Sequence, residues 1–569
     1  MITVETPTFE GVVAEFDAIA APTFEGVVAE YETIHRLLDT AEGADEWEVA
    51  WRHWDQLRRR LNTWRELTNL HFHQDTQNQS YKVARDYCDQ LTPKLIELEV
   101  AMKRRLLASS YRPELERILG QQVFLLWEAD VTAFDPVIEP DLVQESHLTA
   151  AYTQLLASAE LNFAGTYLNL TGIQRYTQAP ERDVRYQAEQ ARWKFFSQNQ
   201  AAFDGLYHDL VQVRHAMAIK LGYNNYIELG YLRRQRIDYT RSDVESYREQ
   251  VVQDVVPLAQ QIVQRQATQL KLDQLQFWDE SVFDLQGNPA PLGNSGWIIE
   301  RSQEMFYEMS VTLGDFFQMM VDARLLDLEN RPNKAGGAFC KSFPNHGLPY
   351  VFTNFNGTKS DVQIFAHEIG HAFQVWQSRH TPVCDYLWPT LEAAEIHSLS
   401  LEFLTFPQME RFFGIQAERY RRHCLAEALL FLPYGVAVDH FQHLVYANPE
   451  ATPSERNQMW QQMEARYLPW RCYGDLAHPA QGGLWQEKHH IYCFPFYYID
   501  YTLAMCCALQ FWAKAKNDYQ GALAEYITLC QRGGTVPFQE LTRSANLVSP
   551  FEPGALAGVV EQARQALEL

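Results

Sequence analysis

The stretch that most constrains the fold is 361–376, which reads Asp-Val-Gln-Ile-Phe-Ala-His-Glu-Ile-Gly-His-Ala-Phe-Gln-Val-Trp. Its apolar residues recur at helical spacing, which predicts an amphipathic helix with one buried side. Ser360 and Gln363 match a capping box, so we expect the helix to begin at Ser360. The residues predicted to form its buried side are Val362, Phe365, Ala366, Ile369, Ala372, Phe373 and Trp376.

Two histidines on this predicted helix are four residues apart. His367 and His371 therefore leave the same face, one turn from each other, and can place two ring nitrogens on one zinc ion. Glu368 lies next to His367 and can hold a water molecule at the metal without being a ligand itself. The alternative is a buried helix with two incidental histidines, so the metal hypothesis requires a third ligand.

A second apolar segment with helical periodicity, 389–404, supplies candidates for that ligand. It contains Glu392, Glu395, His397 and Glu402. Catalytic zinc sites have three protein ligands and an open fourth position. One carboxylate from this second helix, packed across the first, would complete such a site, and the spacing alone leaves the choice among the candidates open.

The two segments together resemble the family of zinc metallopeptidases that includes oligoendopeptidase F, Pz-peptidase and thimet oligopeptidase. In this sequence His-Glu-Ile-Gly-His is followed downstream by Glu-x-x-Ser-x-x-x-Glu. The resemblance implies that Glu395 is the third ligand and that Ser398 and Glu402 complete the pattern. Glu392 and His397 are off the pattern; we expect Glu392 to be a solvated helix residue and His397 a packing residue or a support for a ligand.

A ligating histidine usually donates its second ring N–H to a carboxylate or a carbonyl. Glu402, Asp361 or a backbone carbonyl is the candidate for this role here. An ordinary salt bridge is an equally open interpretation of Glu402.

The resemblance extends to segments on both sides of the metal motif. Residues 337–340 and 349–357 resemble short edge strands that the family places beside its cleft. Residues 485–501 resemble its loop in which a histidine is followed by tyrosines. This loop has Pro-Phe-Tyr-Tyr where thimet oligopeptidases are rich in glycine.

Peptide hydrolysis requires hydrogen-bond donors that face the developing oxyanion. The resemblance assigns this role to His490, Tyr498 and Tyr501, and Tyr497 is the alternative if the register is shifted. The glycines at 482–483 are expected to let the loop close over a bound peptide.

Composition excludes several other classes of protein. A net charge of −24 argues against nucleic-acid binding, which requires clustered lysine and arginine. Nine cysteines without a Cys-x-x-Cys pair argue against a disulfide framework and favour a reducing compartment. The N-terminus has neither a basic region nor a long apolar run, so we expect no signal peptide and a cytoplasmic location. The longest apolar stretch is interrupted by Pro433 and Gly435, so we expect no membrane span.

The predicted fold is mainly α. A chain of 569 residues can form two lobes, and the resemblance implies two helical lobes around a deep substrate channel. A small β-sheet is expected at 330–357, next to the metal helix, because this region is dense in glycine, asparagine, proline and aromatic residues. We divide the sequence into an N-terminal helical region, 1–190, and a catalytic region, 191–569, with lobes that interleave.

The implied function is that of a zinc-dependent endopeptidase. One Zn²⁺ per chain would be held by His367, His371 and Glu395, with Glu368 as the general base, and the substrates would be short, unfolded oligopeptides. Two alternatives remain open at this stage. One is a dipeptidyl carboxypeptidase or aminopeptidase on the same scaffold, and the other is a peptide-binding protein that has lost catalysis.

Overall fold

A computed structural model of the chain describes residues 7–18 and 21–569, and helices dominate it, as predicted. In the first half of the chain the helices are α1 (Phe9–Ala18), α2 (Phe24–Thr40), α3 (Ala44–Gln74), α4 (Gln79–Leu107), α5 (Arg112–Leu119), α6 (Gln121–Thr132), α7 (Glu139–Ala157), α8 (Gln174–Thr177), α9 (Arg182–Gln198), α10 (Gln200–Lys220), α11 (Tyr226–Arg233), α12 (Arg241–Gln250) and α13 (Val256–Gln269). In the second half they are α14 (Ser295–Met309), α15 (Val311–Asp322), α16 (Lys359–Ser378), α17 (Leu391–Leu404), α18 (Glu410–Phe413), α19 (Ala417–Ala447), α20 (Pro453–Tyr467), α21 (His489–Cys493), α22 (Tyr498–Asn517), α23 (Tyr519–Arg532), α24 (Phe538–Ser544) and α25 (Ala557–Leu567).

Two small sheets interrupt the helices in the described part of the chain. Strands β1 (Leu161–Phe163) and β2 (Thr166–Leu168) form an antiparallel hairpin. Strands β3 (Leu326–Glu329), β4 (Phe339–Phe343) and β5 (Leu348–Phe355) form a sheet in the order β3-β5-β4, in which β3 is parallel and β4 antiparallel to β5. The small sheet expected before the metal helix is therefore present. The expectation that 349–357 is an edge strand is wrong, because β3 and β4 both pair with β5.

The chain folds into two compact units, each assembled from three separate segments. Unit 1 consists of Met1–Thr132, Ala290–Gly414 and Lys514–Leu547, and unit 2 of Ala133–Pro289, Ile415–Ala513 and Val548–Leu569. The boundary that we placed between residues 190 and 191 from the sequence falls within the segment Ala133–Pro289 of unit 2. The division into an N-terminal and a catalytic region stays a prediction.

Helix α16 is packed on several sides within unit 1. Phe365 contacts Phe317 of α15 with ring centroids 5.8 Å apart, and Phe373 contacts Tyr526 of α23 at 6.1 Å. Six of the seven residues predicted to form the buried side are buried, and Trp376 is half-buried. The burial of this apolar face fixes the rotation of α16 about its axis, and this decides where its histidines point.

The start of α16 differs from the prediction. The helix begins at Lys359 after Thr358, and the side chain of Thr358 makes no capping hydrogen bond. The carboxylate of Asp361 instead accepts the backbone N–H groups of Asn356 and Gly357, at 3.0 and 2.7 Å. A side chain from inside the first turn therefore stabilises the preceding loop, and the capping box predicted at Ser360 is wrong.

Most residues of the long helix α19, in unit 2, are buried. Pro433 lies inside it, and Gly435 faces α22 so closely that a Cβ there would lie 2.2 Å from the Cγ2 of Thr502. The span Glu410–Ala447 is long and apolar enough to cross a membrane, and 72% of its most apolar window is buried inside the protein. The core helix of a globular protein has the same properties.

All nine cysteines of the chain are free thiols.

Candidate metal centre

The crossing of α16 and α17 in unit 1 builds the site. At Gly370, between the two histidines, a Cβ atom would lie 2.7 Å from the carbonyl oxygen of His397 and from the Cα of Ser398. Only a residue without a side chain permits this approach of two helix backbones. The close crossing is what brings Glu395 of α17 to the face of α16 that carries the histidines.

Three side-chain atoms converge at this crossing. The Oε2 atom of Glu395 lies 3.3 Å from Nε2 of His367 and 3.5 Å from Nε2 of His371. Ligand atoms in a tetrahedral zinc site at ~2.0–2.2 Å from the metal are separated by about 3.3–3.6 Å. Two imidazole nitrogens and one carboxylate oxygen are also a donor set typical of catalytic zinc. The residues present therefore fit a zinc ion.

Neighbouring side chains hold two of the three ligands. Glu402 Oε1 lies 2.7 Å from Nδ1 of His367, and Glu402 Oε2 accepts a hydrogen bond from Gln363 Nε2 at 2.9 Å. The hydroxyl of Ser398 donates to Glu395 Oε2 at 3.0 Å. Glu402 is thus the carboxylate in contact with Nδ1 of His367, whereas Asp361 binds the backbone at the start of the helix. The contact with Gln363 was not anticipated from the sequence.

His371 is supported in a different way. Its Nδ1 is buried and has no hydrogen-bond partner in the part of the chain that the structure describes. Its ring stacks on Trp388, with centroids 5.4 Å apart and planes inclined by 28°. Trp388 was missed by the sequence analysis, because a tryptophan between two helices gives no local indication of which ring it covers.

Glu368 lies beside the three donors and is only 5% exposed. Burial raises the pKa of its carboxyl group, against the opposing effect of His367 and His371. One of its oxygens, Oε2, has no hydrogen-bond partner among the described residues. A carboxylate with a raised pKa and a free oxygen is suited to accept a proton.

The charges of the site are strongly coupled. Burial opposes the ionised form of Glu395, yet His371 and His367 hold its pKa well below the ordinary value. Burial likewise opposes the protonated form of His367, yet Glu395 and Glu402 raise its pKa well above the ordinary value. The site therefore favours positive charge, which a proton or a metal ion can supply, and metal binding would release protons.

The two off-pattern candidates do not join the group of metal-binding atoms. Glu392 is 1% exposed, so the expectation that it is solvated is wrong; its position on the first turn of α17 lies within the core of unit 1. His397 is fully buried, and burial lowers the pKa of its ring to about 4. Among the described residues, the group of possible ligands that lie within 4.8 Å of one another is His367, His371 and Glu395.

The predicted oxyanion residues lie together in unit 2. His490 is on α21, and Tyr498 and Tyr501 are on the first turn of α22, with ring centroids 5.1 and 5.7 Å from that of His490. The hydroxyl of Tyr501 lies 3.5 Å from Nε2 of His490. Tyr497 is also adjacent, with its ring 5.6 Å from His490, so this cluster does not decide the register. Lys488 lies over the rings of Tyr434 and Tyr498 and was missed by the sequence analysis.

The glycines at 482–483 have a packing function. A Cβ at Gly482 would lie 2.3 Å from the carbonyl oxygen of Asn457, and a Cβ at Gly483 would lie 2.5 Å from His478 Nε2. Gly482 also has a positive φ of 88°. Close approach accounts for both glycines, the positive φ is a second reason at Gly482, and loop closure stays a prediction.

Comparisons with known proteins agree with this geometry. A model of the peptidase M3 N-terminal domain matches residues 6–134, and a model of peptidase family M3 matches residues 299–558. A solved structure of Pz peptidase A with an inhibitor is 42% identical, with a TM-score of 0.93, and the match covers 97% of this chain and 99% of that one. A solved structure from Bacillus anthracis, described as oligoendopeptidase F, is 38% identical, with a TM-score of 0.88, and the match covers 96% of this chain and 97% of that one. The comparison with curated proteins gives no match.

The chain belongs to peptidase family M3, a family of metallopeptidases. A further solved structure, described as oligoendopeptidase F, is also 42% identical over 97% of this chain and 98% of that one, with a TM-score of 0.93. The resemblance inferred from the metal motif is confirmed, and peptide hydrolysis is the activity that the family supports.

The close crossing at Gly370 leads to a first prediction. We expect Gly370→Ala to force α16 and α17 apart, to destabilise the protein by about 1–3 kcal/mol and to weaken metal binding. Urea unfolding and metal titration would measure the two effects. Gly296→Ala is the matched control, because a Cβ there meets only an ordinary contact of 3.7 Å. Unchanged metal affinity in Gly370→Ala would contradict the proposed role of the crossing.

Proposed function

We propose that this protein is a zinc-dependent endopeptidase that hydrolyses internal bonds of short, unfolded oligopeptides. The observation that carries the proposal is the approach of Glu395 Oε2 to Nε2 of His367 and Nε2 of His371, at 3.3 and 3.5 Å, with a buried carboxylate, Glu368, beside them. A site that only stabilised the helix crossing would not require an additional buried carboxylate beside the three donor atoms.

The metal-binding residues and Glu368 have separate functions in this proposal. When bound, zinc supplies the Lewis acidity that makes water a potent nucleophile near neutral pH. Glu368 accepts a proton from the attacking water through its free Oε2 and transfers it to the amine that leaves. Glu402 keeps His367 in the tautomer with Nδ1–H, so that Nε2 remains available to the metal.

The cluster of His490, Tyr498 and Tyr501 is proposed to stabilise the oxyanion. Support comes from the family resemblance and from the grouping of these side chains at the junction of α21 and α22. Charge develops on the carbonyl oxygen only as the tetrahedral intermediate forms, so a donor that faces it acts on kcat more than on KM.

We therefore expect Tyr498→Phe to lower kcat by about 10²–10³ with little change in KM, because only a hydroxyl is removed. Steady-state kinetics on a quenched fluorescent peptide would measure this, and zinc content should be unchanged. Tyr497→Phe, on the neighbouring residue, tests the alternative register. If Tyr497→Phe or Tyr501→Phe lowers kcat while Tyr498→Phe does not, the register of the assignment is wrong; if none of the three does, the cluster has no oxyanion role.

The preference for short peptides and the cytoplasmic location are parts of the proposal that rest on resemblance and composition. The structures similar to this chain include oligoendopeptidase F and Pz peptidase A. The deep substrate channel that the resemblance implies would admit flexible oligopeptides and exclude folded domains. We therefore expect a short unfolded peptide to be cut much faster than a folded protein.

Digestion of a defined peptide mixture, with and without a chelator, tests the proposed function. Peptides of one sequence should be offered with free termini and with acetylated and amidated termini. Mass spectrometry should detect internal cleavage of both forms, and the chelator should abolish it. An aminopeptidase or dipeptidyl carboxypeptidase would fail on the blocked peptides, and a peptide-binding protein without catalysis would leave both forms intact.

A further inference from the structure

Unit 2 contains a polar cavity of about 300 Å³ that is separate from the metal-binding residues. Its walls come from α7 and α11, from the residue that follows α11, and from the segment at the end of α21. We call it the α7–α11 cavity and define it by six of its lining residues, Glu145, Ser146, Thr149, Arg233, Arg234 and Pro495. Its volume is sufficient for a small ligand.

Glu145 lines this cavity, and both oxygens of its carboxylate accept hydrogen bonds. Glu145 Oε1 accepts a hydrogen bond from Nε of the buried Arg214 at 2.6 Å, and Oε2 accepts from Arg233 at 2.8 Å. Burial would raise the pKa of Glu145, but Arg233 and Arg214 lower it to about 2. Glu145 is therefore ionised at neutral pH, and both of its oxygens are already bound to arginines.

Arg234 adds a guanidinium group that no described carboxylate neutralises. Its Nε donates to the carbonyl oxygen of Pro495 at 3.1 Å, and its guanidinium carbon lies 5.8 Å from the ring centroids of Phe494 and Tyr497. Asp500 is the carboxylate that influences Arg234, and it is itself paired with Arg236 at 2.8 Å. Arg214 and Arg233 share the carboxylate of Glu145, and no described carboxylate pairs with Arg234, so the guanidinium groups around the cavity outnumber the carboxylates.

This excess of positive charge at a small polar cavity points to an anionic ligand. A planar guanidinium binds carboxylate and phosphate oxygens through two parallel hydrogen bonds. The hydroxyl of Ser146, on the same wall, provides a further donor. We propose that the α7–α11 cavity binds a small oxyanion, a phosphate or carboxylate group, through Arg234 with Arg233 beside it.

The position of Arg234 gives such binding a structural consequence. The carbonyl that Arg234 holds belongs to Pro495, three residues before Tyr498 and the start of α22. An anion would offset the repulsion between Arg233 and Arg234 and would stabilise the backbone contact with Pro495. The binding itself is independent of the proposed peptidase function, so the test measures binding and not turnover.

Isothermal titration with inorganic phosphate and with acetate, each at constant ionic strength, tests the proposal on the metal-loaded protein. We expect saturable binding of at least one of the two anions, and the stronger one identifies the source of the oxyanion group. Arg234→Gln should weaken that binding by about 10- to 150-fold, as expected for the loss of a hydrogen bond to a charged group. Arg234→Lys keeps the charge but not the paired donors and should weaken binding less.

Arg379→Gln is the matched control. The guanidinium of Arg379 also lies over an aromatic ring, 3.5 Å from the centroid of Trp376, and no described carboxylate pairs with it. It does not line the α7–α11 cavity, so this variant should bind the anion as the wild type does. If the anion bound at the metal instead of the α7–α11 cavity, its affinity would be the same for the wild type and for Arg234→Gln. The proposal is overturned if the wild type binds neither anion saturably, or if Arg379→Gln and both Arg234 variants have the same affinity.

Discussion

Replacement of Glu368 by glutamine is expected to lower kcat by about 10²–10⁴-fold while metal content and peptide binding stay close to those of the wild type. The amide has nearly the shape of the carboxylate, so the packing of α16 should survive. It cannot accept the proton of the attacking water, and this is the function proposed for the buried Oε2 of Glu368. Metal analysis, peptide affinity and single-turnover kinetics would separate the three properties.

Glu392→Gln is the matched control for this variant. Glu392 is a buried carboxyl group on α17 that lies outside the group of metal-binding atoms. The same substitution of a carboxyl by an amide there should leave kcat and zinc content close to the wild-type values. A Glu368→Gln protein that turned over at a tenth of the normal rate would show that Glu368 is not the base, and loss of metal in Glu392→Gln would reopen the choice of the third ligand.

Replacement of Glu395 by alanine is expected to abolish stoichiometric zinc binding, and with it peptide hydrolysis. Among the described residues, Glu395 supplies the oxygen that approaches both histidine Nε2 atoms, and two imidazoles alone leave the ion without its third protein ligand. The loss of affinity should exceed the ~10–100-fold that is typical of removing a partner of a ligand. Competition with a chelating dye would measure the zinc affinity.

Glu402→Gln distinguishes a ligand from the group that orients it. Glu402 contacts Nδ1 of His367 and is not a metal ligand. The Glu402→Gln variant should therefore weaken zinc binding by only ~10–100-fold and keep a measurable rate of hydrolysis at saturating zinc. Equal losses of affinity in Glu395→Ala and Glu402→Gln would contradict these separate assignments. Zinc bound by Glu395→Ala with wild-type affinity would exclude Glu395 as a ligand.

Local periodicity was sufficient to predict several parts of this protein. The spacing of apolar residues predicted α16 and its buried side, and the separation of His367 from His371 predicted their common face, because helix geometry relates residues i and i+4 directly. The density of glycine, asparagine, proline and aromatic residues at 330–357, before α16, predicted a sheet. It did not predict that β3 joins the sheet from before residue 330, since strand pairing depends on contacts distant in the chain.

The third ligand marks the limit of local reasoning. Glu392, Glu395 and Glu402 lie on one helix, and periodicity within that helix cannot say which of them meets a second helix. The family resemblance selected Glu395, and the crossing at Gly370 supplies the physical reason, because backbones in contact there bring one turn of α17 to the two histidines. The support of His371 by Trp388 likewise exists only after the intervening chain has folded back.

The sequence by itself therefore determined the mainly helical fold, the paired histidines and the adjacent carboxylate, because each depends on residues within one or two turns. Tertiary structure alone decided which carboxylate approaches both histidines, that Glu392 is buried and that Glu402 contacts His367. It also decided that Arg214 and Arg233 share Glu145, while Arg234 lines the same cavity as Glu145 without pairing with it. These features depend on distances between segments far apart in the chain, and those distances are set by how whole helices pack.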